Sequence, residues 1–221
     1  DLPIANFIKT DCPHFYRFGE AGETEEEFAT RMADSLEALI LEEGPETIAA
    51  FNAEPVMGAG GVITPPKGYF EKVQAILKKY DILMVADEVI CGFCRTGEMF
   101  GCNTYNIQPD IISVAKALSS SYLPISANIV SEKVADVVSK NSGKVGVFGH
   151  GYTYSGHPVC AAVALENLRI IEEENIIDHV RNVAAPALKA AFEALEEHPL
   201  VGTINMSGLM ASIQLAPIKG S

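Results

Sequence analysis

Two residues of this 221-residue chain have the types and positions that carbonyl chemistry requires, an acid and a lysine. Asp87 follows the apolar run 82–86, and Lys116 follows the apolar run 111–114. In an open α/β sheet, ligands bind beyond the carboxyl ends of the strands, where both residues are expected. A lysine at such an edge loses hydration, which favours its neutral amine as a nucleophile for carbonyl compounds.

Each of these residues also has an ordinary explanation when it is taken alone. Asp87 and Glu88 are compatible with a helix cap or a solvated turn, and Lys116 with a side chain that reaches past the sheet to water. Because Asp87 and Lys116 are predicted at the ends of neighbouring strands, a shared role is favoured. A pyridoxal phosphate site needs this pair, because the lysine holds the aldehyde as a Schiff base and the carboxylate keeps the pyridine nitrogen protonated.

The elements that position the pair are predicted from hydrophobic periodicity. An amphipathic helix at about residues 67–80 lies between apolar runs at 47–51 and 82–86. Strand, helix and strand form a βαβ unit, and its strands are parallel because the connection is long enough to hold a helix. We therefore predict an α/β fold. Further strands are predicted at residues 111–114, 127–130 and 210–215, and further helices at 24–43, 132–138, 158–174 and 177–197.

The helix at residues 24–43 has clear start and stop signals. Thr24 followed by Glu27 is the pattern of a capping box, and Gly44-Pro45 is a typical helix end. A shift toward long acidic helices predicts a domain boundary after about Asn175.

Composition argues against several classes of protein. With 16 basic and 29 acidic residues, the formal net charge is −13, which repels phosphate backbones and anionic lipid headgroups. No apolar run approaches the roughly 18 residues of a membrane span, and the first residues lack a signal-peptide pattern. Five cysteines, an odd number, favour free thiols in a reducing compartment. We expect a soluble cytoplasmic protein without nucleic-acid or membrane partners.

Cysteine and histidine patterns raise the possibility of a metal or redox site. Cys91 and Cys94 form a CxxC, with Cys102 further along, and His150 and His157 flank a loop. A structural zinc site needs four ligands, and no second CxxC or HxxxH follows. We therefore expect free thiols, loop histidines and no metal.

Four ordered motifs resemble class III aminotransferases, most closely the omega-amino-acid or amine:pyruvate branch. The similarity extends from about Phe18 to Leu215. It implies a fold-type I pyridoxal-phosphate-dependent transferase, in which a mostly parallel sheet carries helices on both faces. Residues 1–175 would then be part of the cofactor-binding large domain, and 176–221 the beginning of a small α+β domain. The motifs are Glu54-Pro55-Val56 with Gly58-Ala59-Gly60-Gly61, residues 86–97, Ala115-Lys116-Ala117-Leu118 and residues 150–158.

The resemblance implies a role for several matched residues. Lys116 would hold pyridoxal 5′-phosphate as a Schiff base and then move the proton between substrate and cofactor, while Asp87 would pair with the pyridinium nitrogen. Val89 would pack on one face of the ring. Thr153, with the backbone around Tyr152, would reach the cofactor phosphate in the partner subunit of a homodimer.

The resemblance also implies a substrate pocket near Ala59 and Ile90. A small residue at 59 leaves room that a glutamate fills in the relatives that act on gamma-aminobutyrate. Cys94 stands where the family usually has glycine, so its side chain must fit into a turn.

The expected reaction moves an amino group from an amine or omega-amino acid to an oxo acid such as pyruvate. An aminomutase, racemase or decarboxylase of the same fold is an alternative, and a non-catalytic dimerising remnant is another. Family members are longer at both ends, so we expect this chain to be a fragment or a native truncation, with the main phosphate-binding turn outside it.

Overall fold

The computed structural model describes residues 6–217, which contain a four-stranded and a two-stranded sheet. In the larger sheet β1 pairs parallel with β2 and β2 parallel with β3, whereas β4 is antiparallel to β3. The α/β fold with a mostly parallel sheet is therefore confirmed. The strands of this sheet are β1 (Ala50–Ala53), β2 (Leu83–Asp87), β3 (Ile111–Val114) and β4 (Ala127–Val130), and the antiparallel pair is β5 (Val201–Ser207) and β6 (Met210–Leu215).

Helices connect and cover these strands. None of the helices in residues 6–217 is long and apolar enough to cross a membrane. Short 3₁₀ turns occupy Pro45–Thr47 and Lys116–Leu118, and a π-helical turn occupies Val180–Ala184. The α-helices are α1 (Phe15–Phe18), α2 (Glu25–Glu43), α3 (Tyr69–Lys79), α4 (Gly101–Thr104), α5 (Glu132–Val145), α6 (Pro158–Glu173), α7 (Ile176–His179) and α8 (Ala185–Glu193).

Helix α2 begins and ends where the sequence predicts. The Thr24 hydroxyl accepts a hydrogen bond from the Glu27 amide at 3.3 Å, and the Glu27 carboxylate accepts one from the Thr24 amide at 2.9 Å. Bonds from the Thr24 backbone and hydroxyl lower the pKa of Glu27. Two amides that the helix itself cannot satisfy therefore have partners. Gly44 ends the helix with a φ of 89°, which glycine adopts without strain.

One hydrophobic core joins α2 and α3 to strand β2. Met84 and Ala86 of β2 are buried in this core, whereas the intervening Val85 is half-buried, because successive side chains of a strand point to opposite faces. The core therefore fixes the orientation of the strand that ends at Asp87. The residues that α2 and α3 contribute to this core are Phe28, Ala29, Met32, Leu36, Ile40, Tyr69, Phe70, Val73 and Leu77.

A second hydrophobic core connects the end of β3 to helix α6. Val114 is the last residue of β3, and Leu118 lies in the turn that follows it. Both are buried together with Ala164 and Ile171 of α6 and with Val180. Helix α6 therefore packs directly beneath the turn that contains Lys116.

The strand predicted at residues 47–51 starts later than expected. Pro45 begins a 3₁₀ turn, in which the Thr47 hydroxyl donates to the carbonyl oxygens of Glu43 at 3.0 Å and Gly44 at 2.8 Å. Strand β1 therefore begins only at Ala50.

The helix predicted at residues 177–197 is present as one continuous helical segment, but it ends at Glu193 rather than at residue 197. A π-helical turn at Val180–Ala184 lies between α7 and α8, and the three parts follow one another without a gap. Pro186 favours this turn just before it, because proline has no amide hydrogen for a regular helical bond. Strand β5 has a poor sequence signal, because Gly202, Asn205 and Ser207 interrupt its apolar residues. The domain boundary at 175/176 stays a prediction.

We expect Thr24→Ala to lower the free energy of unfolding by about 1 kcal/mol, because the Glu27 amide loses its acceptor. Thr30→Ala is the matched control, since the Thr30 hydroxyl donates at 2.8 Å to a Glu26 carbonyl inside the same helix and its loss leaves no amide without a partner. Urea unfolding followed by circular dichroism measures both variants. Equal losses in the two would contradict the capping role of Thr24.

Candidate active site

Asp87 and Lys116 follow adjacent parallel strands, as the sequence predicts. Asp87 is the last residue of β2 and lies in register with Ser113 of β3. Lys116 lies two residues beyond Val114, the end of β3. The carboxyl ends of parallel strands meet at one edge of the sheet, so the structure brings the acid and the lysine to the same edge.

The turn after β2 orients the Asp87 carboxylate. Its Oδ1 atom accepts a hydrogen bond from the Val89 amide at 3.0 Å. Within residues 6–217 its Oδ2 atom has no hydrogen-bond partner, and the residue is half-buried. A partly desolvated carboxylate with a free oxygen is suited to binding a cationic N–H group. Val89 itself is half-buried next to this carboxylate.

Glu88, the second residue of the Asp87-Glu88 pair, is buried and anchors the loop after β2. Its side chain is 0% exposed, and its two oxygens accept hydrogen bonds from the amides of Gly101 at 2.9 Å and Cys102 at 2.6 Å. The Glu88 amide donates to the Ser113 carbonyl at 2.9 Å, and the Glu88 carbonyl accepts from the Gly92 amide at 2.9 Å. Four hydrogen bonds therefore fix the residue next to Asp87.

Close packing around Glu88 depends on glycine. A Cβ atom on Gly92 would lie 2.8 Å from the Glu88 carbonyl oxygen, and one on Gly101 would lie 2.7 Å from Pro55. Both contacts are shorter than a real side chain allows, so the loop from β2 to α4 closes on itself only with glycine at these positions.

The cysteines of this loop are buried thiols. Burial raises the pKa of Cys91 to about 12 and also raises the pKa of Cys102 and Cys94. These thiols are therefore protonated at neutral pH and are poor nucleophiles. Cys94, at the position where glycine is usual in the family, adopts a φ of 76°, so the turn accommodates its side chain in a left-handed conformation.

The backbone at Lys116 is strained. Its φ is 44°, in the left-handed region that residues with a Cβ atom rarely adopt. Its side chain is exposed and forms no ion pair with any described residue. The amine is therefore available to a ligand at this edge.

The turn that contains Ala59 packs against Ile90 through the preceding residue, Gly58. Gly58, which precedes Ala59, lies so close to Ile90 that a Cβ atom on it would be 2.6 Å from the Ile90 Cδ1 atom. The Gly58 amide donates at 2.9 Å to the carboxylate of Glu54, the first residue after β1. The turn that carries Ala59 is thus tied to the end of a third strand.

Tyr152 and Thr153 lie in a separate, exposed turn. Tyr152 is 79% exposed and Tyr154 is 81% exposed. Ser155 closes the turn, since its amide donates to the Tyr152 carbonyl at 2.9 Å and its hydroxyl accepts from the Tyr152 amide at 3.0 Å. Among residues 6–217, no hydrogen bond joins Thr153 to Asp87 or Lys116.

Asn167 of α6 is a site-related residue that the sequence motifs do not mark. Its side-chain amide contacts the turn after Lys116, through hydrogen bonds to Ala117, Leu118 and Ser120. The available signal was a polar residue between the apolar Ala164, Leu168 and Ile171 of α6.

A carboxylate and a lysine at neighbouring strand ends of a mostly parallel sheet are the arrangement found in pyridoxal-phosphate-dependent transferases of fold type I. The sequence model of the family described as "Aminotransferase class-III" matches residues 3–219. The chain belongs to this family, whose members use pyridoxal 5′-phosphate.

Curated relatives and solved structures agree with this assignment. The chain is 62% identical over 219 residues to gamma aminobutyrate transaminase 3, chloroplastic, from Solanum lycopersicum, and 59% identical to gamma-aminobutyrate transaminase 1, mitochondrial, from Oryza sativa subsp. indica. Each alignment covers 99% of this chain and 42% of the relative. The chain therefore spans less than half the length of these relatives.

The structural similarity is equally extensive. The omega transaminase from Pseudomonas jessenii in complex with PMP has a TM-score of 0.96 and 53% identity, with 99% of this chain and 48% of that chain covered. A structure described as a transaminase with L-ala has a TM-score of 0.96 and 56% identity, with 99% and 51% covered.

The residues at the sheet edge fit the family's cofactor chemically. Asp87 offers a carboxylate oxygen without a partner among the described residues, and Lys116 offers a primary amine without an ion pair there. A ring N–H cation and an aldehyde are the groups that such a pair can bind.

We expect Glu88→Ala to lower the free energy of unfolding by about 1–3 kcal/mol for each of the two buried amides that it leaves without an acceptor. Glu98→Ala is the control from the same loop, because the Glu98 carboxylate is partly exposed and pairs with Arg181 at 2.5 Å. Such a pair contributes only about 0–1 kcal/mol. Urea unfolding measures both variants, and a Glu88 loss no larger than the Glu98 loss would exclude the anchoring role.

Proposed function

We propose that the protein containing this chain catalyses pyridoxal-phosphate-dependent transamination, from an amine or omega-amino acid to an oxo acid such as pyruvate. The observation that carries the proposal is the placement of Asp87 and Lys116 at the ends of β2 and β3 in a chain of the class III family. An aminomutase, racemase or decarboxylase would use the same pair. The names of the relatives favour transamination over these alternatives.

Each residue has a defined task in this proposal. When bound, pyridoxal phosphate supplies a ring that accepts the electron pair left on the substrate carbon after proton loss. The Lys116 Nζ atom would hold the cofactor covalently and, as a free amine, would move the proton at the substrate carbon. The Asp87 carboxylate would keep the ring nitrogen protonated through a charge-assisted hydrogen bond. Val89, which follows two residues after Asp87, would pack its branched side chain on the ring.

Two observations favour different amine substrates. The relatives named gamma-aminobutyrate transaminase make gamma-aminobutyrate the first omega-amino acid to test. The exposed Ala59 argues for a larger amine, because the family resemblance implies a glutamate at this position in enzymes for gamma-aminobutyrate. We therefore propose the class of amines and omega-amino acids rather than a single substrate.

We also propose that the partner is a second copy of the chain. Many large apolar side chains are exposed between Tyr122 and Leu165, and exposed apolar surface of this kind marks an interaction site. The turn with Thr153 lies within this part of the chain, so it is available to a neighbouring site. The exposed apolar residues are Tyr122, Ile129, Val130, Val137, Val138, Val145, Val147, Phe148, Tyr152, Tyr154, Val159 and Leu165.

A cytoplasmic location is likewise a proposal. It is supported by the five free cysteines, which are typical of a reducing compartment. The words "chloroplastic" and "mitochondrial" in the names of two relatives describe those proteins.

In the protein expressed from its complete reading frame, we expect a yellow cofactor that borohydride fixes on the peptide containing Lys116. Lys116→Ala is expected to lose this label, whereas Lys140→Ala, at an exposed lysine of α5, keeps it. Asp87→Asn is expected to retain the label but to lose about 100-fold or more in turnover, because the ring nitrogen loses its stabilising charge.

Mass spectrometry of the digested, borohydride-reduced protein detects the label on the Lys116 peptide, and an assay of pyruvate amination measures turnover. A colourless wild-type protein that cannot be reduced onto Lys116 would favour the non-catalytic remnant, and an unchanged rate in Asp87→Asn would contradict the role of the carboxylate.

The proposed role of Thr153 predicts complementation between two inactive subunits. Thr153→Asp would repel the cofactor phosphate of the partner's site, whereas Lys116→Ala disables its own site. Co-expressed at equal levels, the two variants form mixed dimers for half of the population, each with one intact site. We therefore expect roughly a quarter of the wild-type activity, although each variant alone is inactive. A mixture without activity would show that Thr153 does not serve the neighbouring subunit.

A further inference from the structure

A residue from helix α6 holds the turn that carries Lys116. The Asn167 Nδ2 atom donates hydrogen bonds to the carbonyl oxygens of Ala117 at 2.8 Å and Leu118 at 3.2 Å. The Asn167 Oδ1 atom accepts a hydrogen bond from the Ser120 hydroxyl at 2.6 Å. Both ends of one side-chain amide are therefore bonded to the turn, at three of the four residues that follow the lysine.

The turn needs support from outside because its own backbone is strained. Lys116, Ser120 and Ser121 have φ values of 44°, 48° and 62°, although none of them is glycine. Left-handed conformations at such residues persist only where the surrounding structure imposes them. The turn has bonds of its own, such as those from the Leu118 amide to the Ala115 carbonyl at 2.9 Å and from the Ser119 hydroxyl to the Leu123 carbonyl at 2.6 Å. These bonds close the turn locally, but they do not connect it to the helix beneath it.

Helix α6, which provides this support, is itself held in place by apolar packing. It is 16 residues long, and Ala164 and Ile171, which lie three residues before and four residues after Asn167, are buried against Leu118 in one core. Positions three and four residues apart share a helix face, so the polar and the apolar contacts come from the same side of α6. The apolar contacts fix the distance of the turn from the helix, and Asn167 fixes its backbone orientation.

We propose that Asn167 is a positioning residue for Lys116: it holds the strained turn so that the amine points to the edge where Asp87 lies. This inference rests on the proposed transaminase function. The asparagine amide is needed because two carbonyl oxygens require a donor and the Ser120 hydroxyl requires an acceptor. An aspartate of the same shape has no donor and places a negative charge against two carbonyl oxygens.

The test uses Asn167→Asp in the protein expressed from its complete reading frame. Asn141→Asp is the matched control, because the Asn141 side chain also donates to a backbone carbonyl, that of Val137 at 2.7 Å, on the exposed helix α5. Ser120→Ala is a milder variant that removes only the bond to the Asn167 Oδ1 atom.

The first measurement needs no cofactor. Trypsin cleaves after lysine, so the rate of cleavage between Lys116 and Ala117 in the cofactor-free protein reports opening of the turn. We expect Asn167→Asp to raise this rate about tenfold and Ser120→Ala to raise it less. Cleavage after Lys67, an exposed lysine before α3 and far from all substituted residues, serves as the internal reference, and it should be unchanged in every variant.

The second measurement uses the loaded enzyme. We expect Asn167→Asp to keep the borohydride-fixable cofactor and to lower kcat about tenfold to hundredfold, with little change in KM for the amine, because the lysine is misplaced for proton transfer. Asn141→Asp should match the wild type in both measurements.

Two results would overturn the proposal. The first is a wild-type kcat in Asn167→Asp, whether or not cleavage increases, because the bonds would then be only structural. The second is an unchanged cleavage rate after Lys116. If Asn167→Asp fails to fold, the cleavage rate after Lys116 and kcat are measured in Ser120→Ala instead, and wild-type values would overturn the proposal. Failure of the proposed function is recognised separately, because the wild-type protein itself would then neither bind the cofactor on Lys116 nor transaminate.

Discussion

The buried carboxylate of Glu88 is the constraint on which the site depends. A charge removed from water is costly unless hydrogen bonds replace the lost hydration, and the amides of Gly101 and Cys102 provide that replacement. They lie 13 and 14 residues further along the chain, so the bonds close the whole loop after β2. This closure keeps Asp87 at the sheet edge although no helix directly follows the strand.

The sheet and the helices position Asp87 and Lys116 in different ways. Parallel pairing of β2 with β3 sets how far apart the acid and the lysine lie, because both follow adjacent strands. The core of α2 and α3 orients β2, whereas α6 supports the turn after β3. Two cores therefore meet at this edge of the sheet, and Phe100 packs against both of them.

The sequence was sufficient for the parts of this arrangement that depend on local patterns. The predicted limits of β3 and β4 and the helix after Thr24 agree with the structure, since short apolar runs and a capping box are local signals. The start of β1 and the π-helical turn before Pro186 depended on details of turns and helix bonds that periodicity does not register. The hydrogen-bond partners of Glu88 and Asn167 are distant in the chain, and a single sequence does not indicate which backbone groups a distant side chain will contact. The role proposed for Thr153 requires a second subunit, so a single chain cannot show it.

The cysteines have a practical consequence for chemical labelling. Cys91, Cys94 and Cys102 are buried and have a raised pKa, so thiol-specific dyes and oxidants reach them only after the loop around Glu88 opens. Cys12 and Cys160 are half-buried. Cys160 lies on α6, the same helix as Asn167, so a fluorophore attached there would report movements of that helix while the loop beside Asp87 stays unmodified.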